Sequence, residues 1–431
     1  MTTIALPQNN NGLHGTLSIP GDKSISHRSV MFGAISEGRT TVDHFLFSDD
    51  CLRTIAAFRA LGVKIETTSD QVTIEGKGGF DQFENPDQPL DMGNSGTSTR
   101  LLLGLLARQP FDIEMVGDAS LSRRPLNRVI EPLAQMGAQI SARDNNLLPL
   151  TLHANRRLQE IDYQLPVASA QVKSALILAG LQADQPTQLT EKLITRDHTE
   201  KMLQQFGGSI QQEGKHIKVT PQSEFQGQHI SVPGDISSAA FFIVAGLCVP
   251  NSKVVLQQVG LNPTRTGILS ALSKMGAQFE ISNETAASEP AGDITIHSQQ
   301  LQAINLTDQD IPGLVDEVPL IALAATQATG TTVISGAEEL RVKETDRIET
   351  VTEELKKMGA DIEQRPDGFV INGGTKLHSA VEPLDSHGDH RIGMMLAVAN
   401  LIAGGTGQLQ HADAINISYP TFWQDVAQLQ S

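Results

Sequence analysis

The sequence predicts an α/β protein made of six repeats, three in each half of the chain, and two recurring phrases predict it. The first phrase is a helix-like stretch, then Leu, Met or Phe, then Gly, then a strand-like stretch. It occurs as ALGVKIE from Ala60, QMGAQIS from Gln135, QFGGSIQ from Gln205, KMGAQFE from Lys274 and KMGADIE from Lys357. Gly62, Gly137, Gly207, Gly276 and Gly359 follow one another at intervals of 75, 70, 69 and 83 residues. Glycine suits the left-handed C-cap of a helix that leads into a strand, so this recurrence marks an internal repeat of roughly 70 residues. The second phrase is SIPGDKS from Ser18, echoed by SVPGDISS from Ser231, 213 positions later in a chain of 431.

Each Pro-Gly-Asp precedes an apolar, small-residue run of helical character, SISHRSVMFGAIS in one case and ISSAAFFIVAGL in the other. Four further polar turns open similar runs: GNSGTSTRLLLGLLA at Gly93, VASAQVKSALILAGL at Val167, LVDEVPLIALAA at Leu314 and SHGDHRIGMMLAVA at Ser386. Reference positions Lys23, Gly96, Ala170, Ile236, Asp316 and His390 are spaced 73, 74, 66, 80 and 74 apart, which completes the six repeats. A first strand near Leu13–Ile19 lies ahead of the first Pro-Gly-Asp, so the chain is expected to cross between domains near Gly21 and Gly234. One domain is then 21–233 and the other combines 1–20 with 234–431, the two crossover strands forming a hinge.

A chain of 431 residues exceeds a single ordinary core, which agrees with two domains. Its formal net charge of −17, without a basic stripe, argues against nucleic acid and against an anionic membrane as partners. The longest apolar runs, such as Ala239–Pro250, fall short of the ~20 residues that span a bilayer. MTTIALPQNN lacks the pattern of a secretion signal, and Cys51 and Cys248 have no ligand or framework spacing, which points to a reducing cytoplasm.

Six helix starts offer six sets of unpaired backbone N–H groups at positive dipole ends. Ser, Thr, Asp and Asn at such turns are ordinarily caps. These turns also hold the chain's distinctive polar residues: Lys23, Ser24 and Arg28; Asn94 and Thr97; Ser169, Gln171 and Lys173; Asp316; His390 and Arg391. Gathered at one interdomain cleft, they would trap anions despite the acidic total, because charges beyond a Debye length of about 8 Å are screened. Further charged sets are LRVKETDRIE from Leu340, LSRRPLNR from Leu121 and ITRDHTE from Ile194. The first, taken as a charge run alone, reads as a solvated, salt-bridged helix face in preference to a binding site. His387 and His390 have no third ligand at a metal spacing, and no phosphate-binding P-loop or dinucleotide glycine pattern is present.

The phrases GDKSISHR, GNSGT, SRRP, SAQVKSA, RVKETDR and GDHR, in this order over almost the whole chain, resemble the 5-enolpyruvylshikimate-3-phosphate synthase family. RDHTE and NPTR resemble its second sequence class. The resemblance implies two domains, each of three βαβαββ units, the inside-out α/β barrel of the enolpyruvyl transferases. It implies transfer of the enolpyruvyl group of phosphoenolpyruvate to the 5-hydroxyl of shikimate 3-phosphate by addition and elimination, with no metal or organic cofactor, in a cytoplasmic monomer. Lys23, Ser24, Arg28, Ser169, Gln171, Arg196, Asp316 and Lys343 would hold shikimate 3-phosphate. Lys23, Gly96, Arg124, Gln171, Arg347 and Arg391 would hold phosphoenolpyruvate, whose place the herbicide glyphosate takes in this family. Asp316 and Glu344, with Lys23 and His390, would serve the chemistry. One departure stands out: many members have a C-terminal Lys, whereas here HADAINISYPTFWQDVAQLQS contains neither Lys nor Arg.

Two other readings compete. UDP-N-acetylglucosamine enolpyruvyl transferase shares the six-unit plan but usually carries a loop Cys, which EMVGDASLSRRPLNR lacks. A non-catalytic anion-binding module would show losses like those of the second Pro-Gly-Asp, where Ile236 stands for Lys23 and Phe241 for Arg28; yet Lys23, Asp316, Glu344 and His390 are all present.

Overall fold

A computed structural model of the chain describes residues 2–8 and 11–431. Six helices that follow the polar turns are α1 (Lys23–Ile35), α2 (Gly96–Leu105), α3 (Ala170–Gly180), α4 (Ile236–Cys248), α5 (Val318–Gln327) and α6 (His390–Ala403). They are apolar nearly all round, and burial follows: every residue of α4 from Ile236 to Leu247 is buried. Many strands instead alternate between buried and more accessible positions, as in Gln71–Glu75, with one face to the core and the other toward solvent. Within each unit these helices therefore lie in the interior and the sheets on the outside.

The second repeat shows the connectivity. Leu90–Asp91 pairs parallel with Ile113–Val116, which pairs antiparallel with Leu147–Leu152, which pairs antiparallel with Ile140–Arg143. With α2 and the helix Asn127–Gln135 between strands, this is a βαβαββ unit. The third and fifth repeats copy it. Gly62, Gly137, Gly207, Gly276 and Gly359 all take positive φ, between 81° and 96°, where the outer helix of a repeat hands over to its hairpin.

The first and fourth repeats exchange their leading strands. His14–Ser18, which runs into α1, pairs with Lys253–Gly260; His229–Ser231, which runs into α4, pairs with Arg39–Asp43. Accordingly the chain divides into two compact units, one of Gly21–Val232 and a split one of the residues up to Pro20 with Pro233–Ser431. Each has its own apolar core. The sixth sheet departs from the four-strand plan: it has three strands, and the N-terminal Ile4–Leu6 supplies the antiparallel partner of Gly407–Gln410.

The helix starts are held in place by close packing behind them. A Cβ at Gly104 would lie 2.0 Å from the Ala175 carbonyl oxygen, so α2 and α3 touch backbone to backbone there. Gly104→Ala must push these helices apart and should cost about 1–3 kcal/mol, seen as a lower urea midpoint with an unchanged m-value.

Candidate active site

Five of the six inner helices begin with a side-chain cap: Asp22 accepts from Ile25 N, Ser95 from Ser98 N, Ser169 from Val172 N, Asp235 from Ser237 N and Asp389 from Arg391 N. The caps fix where the residues just inside each helix stand.

In the Gly21–Val232 unit, Lys23 opens α1 and its Nζ meets Asp50 Oδ2 at 3.1 Å. Ser24 follows, and its carbonyl accepts from Arg28 Nη1 at 3.0 Å. Arg28 is buried and also donates from Nε to Thr199 Oγ1 at 2.7 Å and from Nη2 to Ser174 Oγ at 2.9 Å. A chain of contacts at 2.7 Å links α1 to the head of α2: His27 Nδ1 to Thr54 Oγ1, Thr54 Oγ1 to Ser98 Oγ, and Ser98 Oγ to Ser95 Oγ. Burial, reinforced by the charges of Lys23 and Arg28, holds the His27 pKa well below the usual imidazole range. Gln171, at the head of α3, donates to Thr97 Oγ1 at 3.1 Å, tying α3 to α2. A Cβ on Gly96 would lie 2.5 Å from Arg100 Nη1 and 3.1 Å from Arg124 Nη2, so two guanidinium groups cover this helix head. Arg196 is half-buried in the segment between Glu191 and the helix His198–Gln205.

In the split unit, Arg347 is the centre. It is 1% exposed; Nε donates to Asp389 Oδ2 at 2.7 Å, Nη2 to Glu344 Oε2 at 2.6 Å and Asp389 Oδ1 at 3.3 Å, and Nη1 to Asp316 Oδ1 at 3.3 Å. Burial opposes its charge, but Asp389, Glu344 and Asp316 outweigh that penalty and raise its pKa further. The RVKETDR stretch is thus no solvated face: Arg347 points inward, while Arg341 pairs with Asp346, whose other oxygen caps the helix Arg347–Lys357. Arg391 is held more loosely, with Asp316 Oδ2 and Glu317 Oε1 each at 3.6 Å. Half-buried Lys343 has its pKa lowered by burial, against the pull of Asp316 and Glu339. His390 is buried at the start of α6. His387 is exposed and meets Glu354 Oε1 instead. Among the described residues no group of three or more His, Cys, Asp or Glu is arranged to hold a metal ion.

Each unit therefore gathers its own share of the expected residues. Sequence reasoning missed Asp50, Asp389 and Glu317. Asp389 had a signal, because GDHR places an Asp before a helix as both Pro-Gly-Asp turns do. Lys173 is corrected: grouped with the helix-start polar residues, it points inward, 0% exposed, with Glu191 Oε1 at 3.1 Å and Glu200 Oε1 at 2.7 Å. Its position one turn into α3 turns it away from the helix end.

The model of the EPSP synthase (3-phosphoshikimate 1-carboxyvinyltransferase) family matches residues 7–426. The chain belongs to that family. A 3-phosphoshikimate 1-carboxyvinyltransferase of Leuconostoc mesenteroides is 56% identical over 422 residues, 97% of each chain. One from Listeria welshimeri is 51% identical over 429 residues, covering 99% of this chain and all of the other. The solved EPSP synthase of Acinetobacter baumannii is 43% identical, with a TM-score of 0.87 over 99% of this chain and 98% of that one. The enolpyruvyl transferase NikO of Streptomyces tendae, 16% identical, has a TM-score of 0.80 over 99% and 97%, and shares the fold. As an EPSP synthase the protein is a transferase of the shikimate pathway, moving the enolpyruvyl group of phosphoenolpyruvate to shikimate 3-phosphate.

Lys173 lies between two buried carboxylates, and burial raises the Glu200 pKa despite it. Lys173→Met would strand both carboxylates, and a stability loss of about 3–5 kcal/mol is expected by urea denaturation.

Proposed function

We propose that Asp316 and Glu344 carry the proton transfers of this reaction and that the cations around them hold its two anionic substrates. The observation that supports this most is their shared anchor: both carboxylates bind terminal nitrogens of the one buried Arg347. Enolpyruvyl transfer by addition and elimination needs a base for the 5-hydroxyl, an acid for the methylene of phosphoenolpyruvate, and stabilisation of positive charge at its C2. A carboxylate fixed in advance can stabilise that charge as it develops. His390 and Lys23 are assigned as further proton carriers in this reading.

Lys23, Ser24, Arg28, Ser169, Gln171, Arg196, Asp316 and Lys343 are assigned to shikimate 3-phosphate, and Lys23, Gly96, Arg124, Gln171, Arg347 and Arg391 to phosphoenolpyruvate. Hydrogen-bond counting refines the share of Arg347. Its carboxylate partners use four of its five N–H groups, which leaves one on Nη1 for a ligand. Arg124 and the loosely held Arg391 then take most of the phosphoenolpyruvate charge, in a chain without the C-terminal Lys. The protein is proposed to work as a cytoplasmic monomer, with the chain passages at Pro20–Gly21 and Val232–Pro233 as its hinge.

Phosphate release from phosphoenolpyruvate should require shikimate 3-phosphate and should not occur with UDP-N-acetylglucosamine. In that assay Glu344→Gln should lower kcat by at least about a hundredfold with little change in either KM. A raised KM at unchanged kcat would make Glu344 a binding residue instead.

Glyphosate is proposed to compete with phosphoenolpyruvate at Gly96. The methyl of Gly96→Ala would displace the tips of Arg100 and Arg124. Because glyphosate is the longer ligand, its inhibition constant should rise at least about tenfold more than the KM for phosphoenolpyruvate. Equal losses for both would refute the steric account.

A further inference from the structure

The turn that leads into α6 stands in a costly conformation. His387 has φ at 52° and Gly388 follows at 77°, so two successive residues are left-handed. Every residue with a Cβ pays for that region, a β-branched one most, and such strain lasts only where the surroundings impose it. The imposing group is Glu354, buried on the helix Arg347–Lys357. Its Oε2 accepts from Asp385 N at 3.0 Å, and its Oε1 lies 3.1 Å from His387 Nε2 and 2.7 Å from Lys357 Nζ. Seven positions earlier on the same helix, Arg347 grips the far end of the turn through both oxygens of Asp389. Seven positions are about two helical turns, so Glu354 and Arg347 share one face. The turn lies along that face, held by an anion at its beginning and a cation at its end. Within it His387 N donates to Asp385 Oδ1 at 2.7 Å and Asp389 N to the Ser386 carbonyl at 2.9 Å, which joins its two ends into one piece.

We infer that Glu354 is a positioning residue for Arg391: by clamping Asp385 and His387 it keeps the turn left-handed, and the turn sets where α6 begins. Asp389 is the link, because it caps α6 and its Oδ1 accepts from Arg391 N at 2.9 Å. A turn that relaxed would carry Asp389 and the Arg391 backbone with it. The Arg391 side chain has little to resist such a shift. Asp316 Oδ2 and Glu317 Oε1 stand 3.6 Å from its guanidinium and the Asp316 carbonyl 3.5 Å, so the place of its backbone decides where its charge stands. The inference rests on the assignment of Arg391 to phosphoenolpyruvate.

Steady-state kinetics of the full chain, with calorimetry of shikimate 3-phosphate, separate this role from general loosening. Glu354→Met removes both clamping contacts and should raise the KM for phosphoenolpyruvate about tenfold, while the Kd of shikimate 3-phosphate stays within about twofold. Glu354→Gln keeps them, since its oxygen accepts from Asp385 N and its amide donates to His387 Nε2, and should stay within about threefold of the parent. Position 387 tests the backbone directly. His387→Gly and His387→Val both lose the contact to Glu354, but glycine takes positive φ freely and valine resists it. The KM for phosphoenolpyruvate should stay within about threefold for the glycine variant and rise about tenfold for the valine variant. His387 is exposed, so this pair keeps the test decisive even if Glu354→Met does not fold. Equal KM values for the two variants would overturn the inference. So would an unchanged KM in folded Glu354→Met, or a loss of shikimate 3-phosphate affinity as large as the rise in KM. Arg391→Ala is the control. If it keeps the parent's KM, the assignment of Arg391 fails and the inference with it; if its KM rises while Glu354→Met and His387→Val keep the parent's, only the positioning role is wrong.

Discussion

The buried guanidinium of Arg347 is the constraint on which the split unit's polar interior depends. Asp389 caps α6, Glu344 belongs to the loop ahead of the helix Arg347–Lys357, and Asp316 precedes α5. Three elements from two repeats therefore meet on one cation. Removing a charge from water costs several kcal/mol, and that penalty is offset only when geometry and partners are good. Arg347 meets the condition with four donated hydrogen bonds. The arrangement leaves more carboxylate than guanidinium at this spot, so Arg391 and Lys343 are drawn to the same place.

The two units solve the same difficulty, a cation in a dry place, with different chemistry. Around Arg347 the partners are acids. In the Gly21–Val232 unit, hydroxyls recur: Thr199 and Ser174 on Arg28, then Thr54, Ser98 and Ser95 on the path from His27 to the head of α2. A hydroxyl both gives and accepts a proton at no net charge, so such chains adjust their direction to suit what they hold. Lys173, turned away from the helix ends, is instead closed in by Glu191 and Glu200, and it braces the segment that carries Arg196.

Much of this was legible in the sequence because it rests on local chemistry. Five glycines marked turns that need positive φ, and each has it. The doubled Pro-Gly-Asp marked two helix starts, with Asp22 and Asp235 as their caps. What stayed hidden depends on direction or distance. Lys173 and Gln171 are two residues apart on α3, yet one is sealed inside and the other reaches Thr97. A helix buried nearly all round has no polar stripe from which to read such a difference. Asp50 and Asp389 were missed because their partners, Lys23 and Arg347, lie 27 and 42 positions away. The three-stranded sixth sheet was hidden for the same reason, its third strand coming from the other end of the sequence.

The exchange of leading strands sets an order on the making of the molecule. Residues Gly21–Val232 contain every strand of their own three sheets, including the late His229–Ser231 that completes the first. This half can close as soon as it has left the ribosome. His14–Ser18 cannot: its neighbour in register, Lys253 opposite His14, is made 239 residues later. At about 5–20 residues per second, that strand waits between roughly ten and fifty seconds with its edge unpaired. Ile4–Leu6 waits longer still, for Gly407–Gln410. During synthesis these two early strands are among the last to find their places.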